Sequence, residues 1–212
     1  MSTDLPKIEA YDLPTVAELP PSRAPWQPER GRAALLIHDM QRYFVAPFAP
    51  GVAPIAPTTA NIARLGERCR ALGIPVFYTA QKGGQERRDR GLQADIWGPG
   101  MSTAPEHQDI VAELAPAAGD IVLEKWRYSA FQRSNLETLM RTRGRDQLII
   151  CGIYAHIGCM MTAAEAFMRD IEPFFVADGL AYFSRAWHDQ ALAYVAGRCG
   201  GVTTTDRLLG AL

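Results

Sequence analysis

The chain predicts an α/β fold: a three-layer, doubly wound, six-stranded parallel sheet with helices on both faces. Three observations carry this. Short β-branched apolar runs such as Leu148-Ile149-Ile150-Cys151 have the look of buried parallel strands. These runs alternate with helix-compatible segments along the chain. Polar or special residues also cluster just past the runs: Asp39, Gln81, Lys125 and the turn from Tyr154 to Gly158. On a parallel sheet those ends share one edge, where ligands bind.

The chain has 212 residues, enough for one core, with 48% hydrophobic and 21% charged residues, the profile of a globular protein. A net charge of −1 gives no reason to expect nucleic acid or an anionic membrane as partner. No apolar run approaches the roughly 20 residues that span a bilayer. The N-terminus lacks a basic stretch followed by an apolar one, so the cytoplasm is the expected compartment. Cys69, Cys151, Cys159 and Cys199 are scattered without metal-ligand spacing, so neither a metal nor a disulfide is expected. No phosphate-binding glycine loop, dinucleotide fingerprint or serine-hydrolase elbow is present.

Residues 1–30 carry Pro6, Pro14, Pro20, Pro21, Pro25 and Pro28, and are expected to form an extended arm on the domain or on a neighbouring subunit. Residues 31–212 then form the domain. Ala33 to Ile37 is the first strand, ending at His38-Asp39, with a Pro-containing loop after it. Thr58 or Thr59 is placed to cap a helix whose apolar face runs Ile62, Leu65, Cys69 and Leu72, with Gly73 as its stop. Ile74 to Thr79 is the second strand. Residues 82–104 form a long loop with short helical pieces, of a length that usually marks a functional lid or disorder, and Trp97-Gly98-Pro99-Gly100 inside it argues for order. His107 to Leu114 is expected as a short helix and Ile121 to Leu123 as the third strand. Ser134 and Glu137 form a capping box for the next helix. The fourth strand follows, with a helix through Met168. Pro173 to Ala177 is the fifth, Ser184 caps another helix, and Gly201 to Thr204 is the sixth.

An acid and a lysine at neighbouring strand ends form a candidate proton-transfer pair. Spacing alone leaves Asp39 open as a helix cap and Lys125 as a surface charge. His38 has the character of a hydrogen-bonded strand-end histidine, and His156 is similar. Tyr43, Phe44, Phe131 and Tyr154 could wall a pocket or simply pack in the core.

Several long motifs now stand in order: HDMQRYF (38–44), YTAQ (78–81), RGL (90–92), WGPGM (97–101), KWRYSAF (125–131), GIYAHIGCMMTA (152–163), FMRDIEPFFVAD (167–178) and FSR (183–185). Together with IEAYDLP (8–14) they closely resemble isochorismatases, a branch of the cysteine-hydrolase-like superfamily. The resemblance implies hydrolysis of a vinyl ether without metal or organic cofactor. Asp39 would be the general acid and Lys125 would orient it and hold a substrate carboxylate. Gly158 takes the position of the superfamily's nucleophilic Cys, leaving room for an enolpyruvyl group. Gln81, Arg90 and Tyr154 match substrate-binding positions, and Trp97 matches a pocket-lining one, with Phe44 beside it. A non-proline cis peptide near Tyr154 is also implied.

Two dianionic substrates compete: isochorismate, and its 2-amino-2-deoxy analogue. GCMMTAAEAFMRDI resembles the siderophore branch. The LPT at 13–15 and the end at Leu212, without an aryl carrier domain, resemble the stand-alone phenazine type. A homodimer is implied, and the sequence leaves open a separate carrier-protein or synthetase partner. Rival readings are an amidohydrolase using Cys159, poised at a helix N-terminus, and a non-catalytic docking module.

Overall fold

The computed structural model describes residues 5–212. Its six strands are β1 (Ala33–His38), β2 (Val76–Ala80), β3 (Ile121–Glu124), β4 (Gln147–Ile153), β5 (Glu172–Ala181) and β6 (Gly201–Thr203). All are parallel, in the order β3-β2-β1-β4-β5-β6. Every residue of β1 and β4 is buried, as expected of central strands covered on both faces. The strand order reverses between β1 and β4, which opens a crevice at their C-terminal ends.

The helices are α1 (Arg42–Val45), α2 (Ile55–Ala71), α3 (Arg87–Arg90), α4 (Gln93–Trp97), α5 (Pro105–Gln108), α6 (Leu136–Arg141), α7 (Met160–Met168), α8 (Arg185–Arg198) and α9 (Thr205–Ala211). α2 and α9 pack together on one face of the sheet, and α7 and α8 pack together on the other. The expected stripe of α2 faces inward through Ile62, Leu65 and Cys69, and Gly73 ends the helix at φ +70°. Ser184 accepts from the Trp187 N–H and caps α8 as its sequence predicts.

Four local expectations are corrected. α2 starts at Ile55, ahead of Thr58, because Pro57 sits in the first turn, where its missing N–H is harmless. The buried Thr58 hydroxyl instead donates to the Leu180 carbonyl at 3.1 Å. Residues 107–114 do not form one helix. α5 ends at Gln108, and the next residues run extended because Arg42 N donates to Asp109 O and Val111 N to Met40 O. The Ser134 capping box is absent: Ser134 Oγ donates to Ala130 O, and Glu137 pairs with Arg169. β5 continues to Ala181 through a register shift that places Phe175 opposite Ile150 but Leu180 opposite Gly152. The excursion frees Asp178 to accept from Thr205 N and Oγ1, at 2.8 and 2.9 Å, at the start of α9.

Residues 5–30 run extended apart from one 3₁₀ turn at Val16–Glu18. Ile8 bridges Phe48 and is buried. Tyr11 Oη accepts from Tyr182 N at 2.8 Å, and Ser22 Oγ accepts from Val202 N at 2.8 Å. Among the described residues no helix is long and apolar enough to cross a membrane.

Candidate active site

Asp39 leaves the end of β1 with φ +52°, a left-handed conformation that a short polar side chain tolerates. Thr79, at the end of the adjacent β2, holds it twice. Thr79 Oγ1 accepts the Asp39 backbone N–H at 3.1 Å and donates to Oδ1 at 2.6 Å. The other carboxylate oxygen, Oδ2, receives Lys125 Nζ at 2.7 Å. Lys125 is delivered by β3, its backbone N–H donating to Ala80 O. Three neighbouring strand ends thus converge on one buried carboxylate.

Burial pushes the Asp39 carboxyl up, but the ammonium of Lys125, the His38 ring and the Thr79 hydroxyl together hold it below its ordinary value. His38 Nδ1 lies 2.9 Å from Ile153 O and 3.6 Å from Asp39 Oδ2. A carbonyl only accepts, so Nδ1 carries the proton. Burial lowers the His38 pKa to about 4 and keeps the ring neutral near neutral pH. His38 is therefore the hydrogen-bonded strand-end histidine that the sequence indicates.

Beyond β4 the Ile153–Tyr154 peptide is cis. Residues Ala155–Cys159 then form one π-helical turn before α7 begins. Single π turns of this kind recur at functional sites. Gly158 faces the cavity from this turn, while Cys159 is fully buried behind it and burial raises its thiol pKa well above normal. The thiol is a core group, as its register suggests.

Asp39, Lys125, Gly158, Gln81, Arg90, Trp97, Tyr154 and Phe44 all line one cavity over the β1–β4 crevice. The 82–104 segment carries Arg90 on α3 and Trp97 on α4 into the cavity wall. Arg90 is buried; its Nε donates to Gly98 O at 2.6 Å, and among the described residues it forms no ion pair. Desolvation lowers its pKa, so the guanidinium is poised for an anion. Gly100, at φ +80°, lets the backbone lie against that guanidinium, where a Cβ would come within 2.6 Å of it. Trp97 Nε1 donates to Tyr128 Oη at 2.7 Å. Tyr154 Oη donates to Phe44 O at 2.6 Å, and its ring stacks on Phe183 with centroids 4.5 Å apart.

Sequence reasoning missed several residues. Gln41 is buried and clamps the backbone beside the site: its Oε1 accepts from Gln81 N at 2.7 Å, and its Nε2 donates to Gln81 O at 2.8 Å. Tyr128, Phe183, Gln93 and Leu5 also line the cavity. HDMQRYF already carried Gln41, KWRYSAF Tyr128 and FSR Phe183; nothing local marks Leu5. Phe131 is no pocket wall but a buried residue under the Arg169 guanidinium. His156 packs against Trp187 and Tyr182, away from the acid. Among the described residues no cluster of three or more His, Cys, Asp or Glu side chains could hold a metal ion.

The fold and the site define a hydrolase of the doubly wound α/β class with an acid–lysine pair at the topological switch point. The family model for the isochorismatase domain matches residues 33–207, and the chain belongs to the isochorismatase family. It is 53% identical to "Isochorismatase" of Bacillus subtilis (strain 168) over 98% of this chain and 67% of that protein. It is 49% identical to "Phenazine biosynthesis protein PhzD1" of Pseudomonas aeruginosa over 97% of this chain and 98% of that protein. Among solved structures, a cysteine hydrolase from Pseudomonas syringae pv. phaseolicola 1448A shares the fold, with a TM-score of 0.79 at 24% identity over 91% of this chain and 96% of that one.

Proposed function

We propose that this hydrolase cleaves the enolpyruvyl vinyl ether of isochorismate, giving 2,3-dihydro-2,3-dihydroxybenzoate and pyruvate, with Asp39 as general acid. The single observation that carries the reading is the buried Asp39–Lys125 contact at 2.7 Å, in a cavity lined by no thiol and no serine or threonine hydroxyl among the described residues. Protonated Asp39 delivers its proton to the methylene carbon, forming an oxocarbenium ion. Water adds to that ion and returns a proton to Asp39. The hemiketal then collapses: its hydroxyl proton passes to the ether oxygen, the bond between that oxygen and the pyruvyl carbon breaks, and pyruvate leaves while the oxygen stays on the ring as the second hydroxyl of the diol. Lys125 and the Thr79 hydroxyl stabilise the carboxylate that forms, and Arg90 takes a substrate carboxylate. Gln81, Trp97, Tyr154 and Phe44 shape the remainder of the pocket, and Gly158 gives the enolpyruvyl group its space.

The second reading is the same cleavage of 2-amino-2-deoxyisochorismate, supported by the match along 98% of the length of the phenazine biosynthesis protein. The reading further proposes a cytoplasmic homodimer that works beside a separate carrier protein or synthetase.

Pyruvate release coupled to lactate dehydrogenase, with both substrates in parallel, tests this. Release that vanishes in Asp39→Ala supports the acid mechanism, and the ratio of kcat/KM values assigns the substrate. No release from either substrate overturns the vinyl ether reading.

A further inference from the structure

His38 stands between two glycines, and the reasons for them differ. Gly152, at φ +113°, lies where a Cβ would come within 2.2 Å of the His38 carbonyl oxygen, so β1 and β4 need it for their backbones. Gly158 has no positive φ that would call for glycine. A Cβ at 158 would instead come within 2.3 Å of His38 Cε1 and 3.0 Å of its Nε2, with the Tyr128 carbonyl at 3.1 Å. Position 158 is therefore bare because a histidine ring fills its side-chain space. That ring cannot yield easily: it is fully buried and tied by Nδ1 to Ile153 O, and Asp39 follows it directly in the chain. Its Nε2 has no hydrogen-bond partner among the described residues. Donor satisfaction thus explains one ring nitrogen, and the Cε1–Nε2 side of the ring, with the Tyr128 carbonyl near it, fills the space of position 158.

We infer that His38 is a positioning residue of the active site, its ring occupying the side-chain space of position 158 and so setting how the Gly158 turn stands against Asp39. The inference rests on Asp39 and Gly158 both facing the reacting group, and it makes His38 and Gly158 an energetically coupled pair. A side chain at 158 pushes the ring, and the ring pushes the acid. Asparagine at 38 separates the two roles of the ring. Its Nδ2 takes the place of the histidine Nδ1 and keeps the donor to Ile153 O, while the Cε1 and Nε2 volume is vacated. Glutamine is the opposite control, because its longer side chain keeps that volume filled.

The test is a double-mutant cycle on full-length protein with the substrate that the wild type turns over, reading kcat, KM and thermal midpoint separately. Gly158→Ala is expected to lower kcat about 100-fold, the scale of an ångström-size misplacement of a catalytic group, with a smaller change in KM. His38→Asn alone is expected to lose no more than about 10-fold. Combining His38→Asn with Gly158→Ala should recover at least about 10-fold in kcat over Gly158→Ala, whereas His38→Gln with Gly158→Ala should recover nothing. A purely structural contact would restore the midpoint but leave kcat low. The inference is overturned if the losses in kcat multiply, or if asparagine and glutamine rescue equally. If Gly158→Ala alone does not fold, recovery of folded, active enzyme by His38→Asn and not by His38→Gln is the supporting result, and its absence is the overturning one. A wild type that releases no pyruvate would overturn the proposed reaction first, so the two failures stay distinct.

Discussion

Lys125 Nζ stands 2.7 Å from Asp39 Oδ2 with both side chains buried, so the carboxyl proposed to donate a proton is held toward its ionised form. A dianionic substrate offsets Lys125 and Arg90, and its binding raises the carboxyl pKa toward working pH. In the complex, kcat should therefore fall as pH rises through the Asp39 pKa. Lys125→Met removes the neighbouring cation and should move that descending limb up by roughly 1–3 pH units. A limb in the same place in both enzymes would show that another group titrates.

Arg90 offers a buried guanidinium that forms no ion pair among the described residues. Losing a hydrogen bond to a charged group costs about 1.5–3 kcal/mol, so Arg90→Met should raise KM roughly 10- to 100-fold. Steady-state kinetics reads this directly, and an unchanged KM would mean that the substrate carboxylates sit elsewhere.

Thr79 satisfies both the backbone and the side chain of Asp39. Thr79→Val leaves a buried N–H without its acceptor, at a cost of about 1–3 kcal/mol. For a chain of this size that is a fall of several degrees, about 2–4 °C per kcal/mol, in the thermal midpoint. Calorimetry on the purified variant is the check.

Cys159 is fully buried with a raised thiol pKa. Cys159→Ala should keep kcat/KM within about 3-fold, and iodoacetamide should leave the native enzyme active. Inactivation that tracks alkylation of this residue would restore the thiol mechanism as a rival.

His188 is buried with Nδ1 3.2 Å from the Tyr11 hydroxyl, between Arg185 and Asp189 on its own helix. Desolvation lowers its pKa to about 4. An unfolded histidine takes its proton near pH 6.5, so between about pH 6.5 and 4 the unfolded state binds more protons and folding weakens as pH falls. The difference amounts to about 3 kcal/mol for this residue. His38, lowered to about 4 by the same burial, contributes over the same window, so His188→Gln should make the midpoint-versus-pH curve shallower without flattening it, and an equally steep curve would assign the loss to other groups.

The strand ends carried most of the site into the sequence. Asp39, Gln81, Lys125 and Tyr154 each follow an apolar run, and a parallel sheet brings such positions together whatever their spacing. Arg90 was harder, because QERRDRG has the composition of a solvated face. Only the resemblance singled it out, since its burial depends on the Gly98 carbonyl and the Gly100 backbone. Gln41 stood inside HDMQRYF, but its role was not legible because it works through hydrogen bonds to distant backbone, and Leu5, which reaches the cavity from the arm, was not legible at all. The mistaken helix at 107–114 and the missing capping box have a common origin. In both places a tertiary partner, the Met40–Arg42 backbone or Arg169, outcompeted a local preference.

The arm has a consequence for the order of assembly. Tyr11 is tied to Tyr182 and His188, 171 and 177 positions later, and Ser22 to Val202, 180 positions later. During synthesis the arm emerges before its anchors, which arrive with the segment just after β5, with α8 and with β6. Leu5, a wall of the cavity, lies at the far end of the same arm. The wall that the arm gives the pocket can therefore settle only after those later elements have formed.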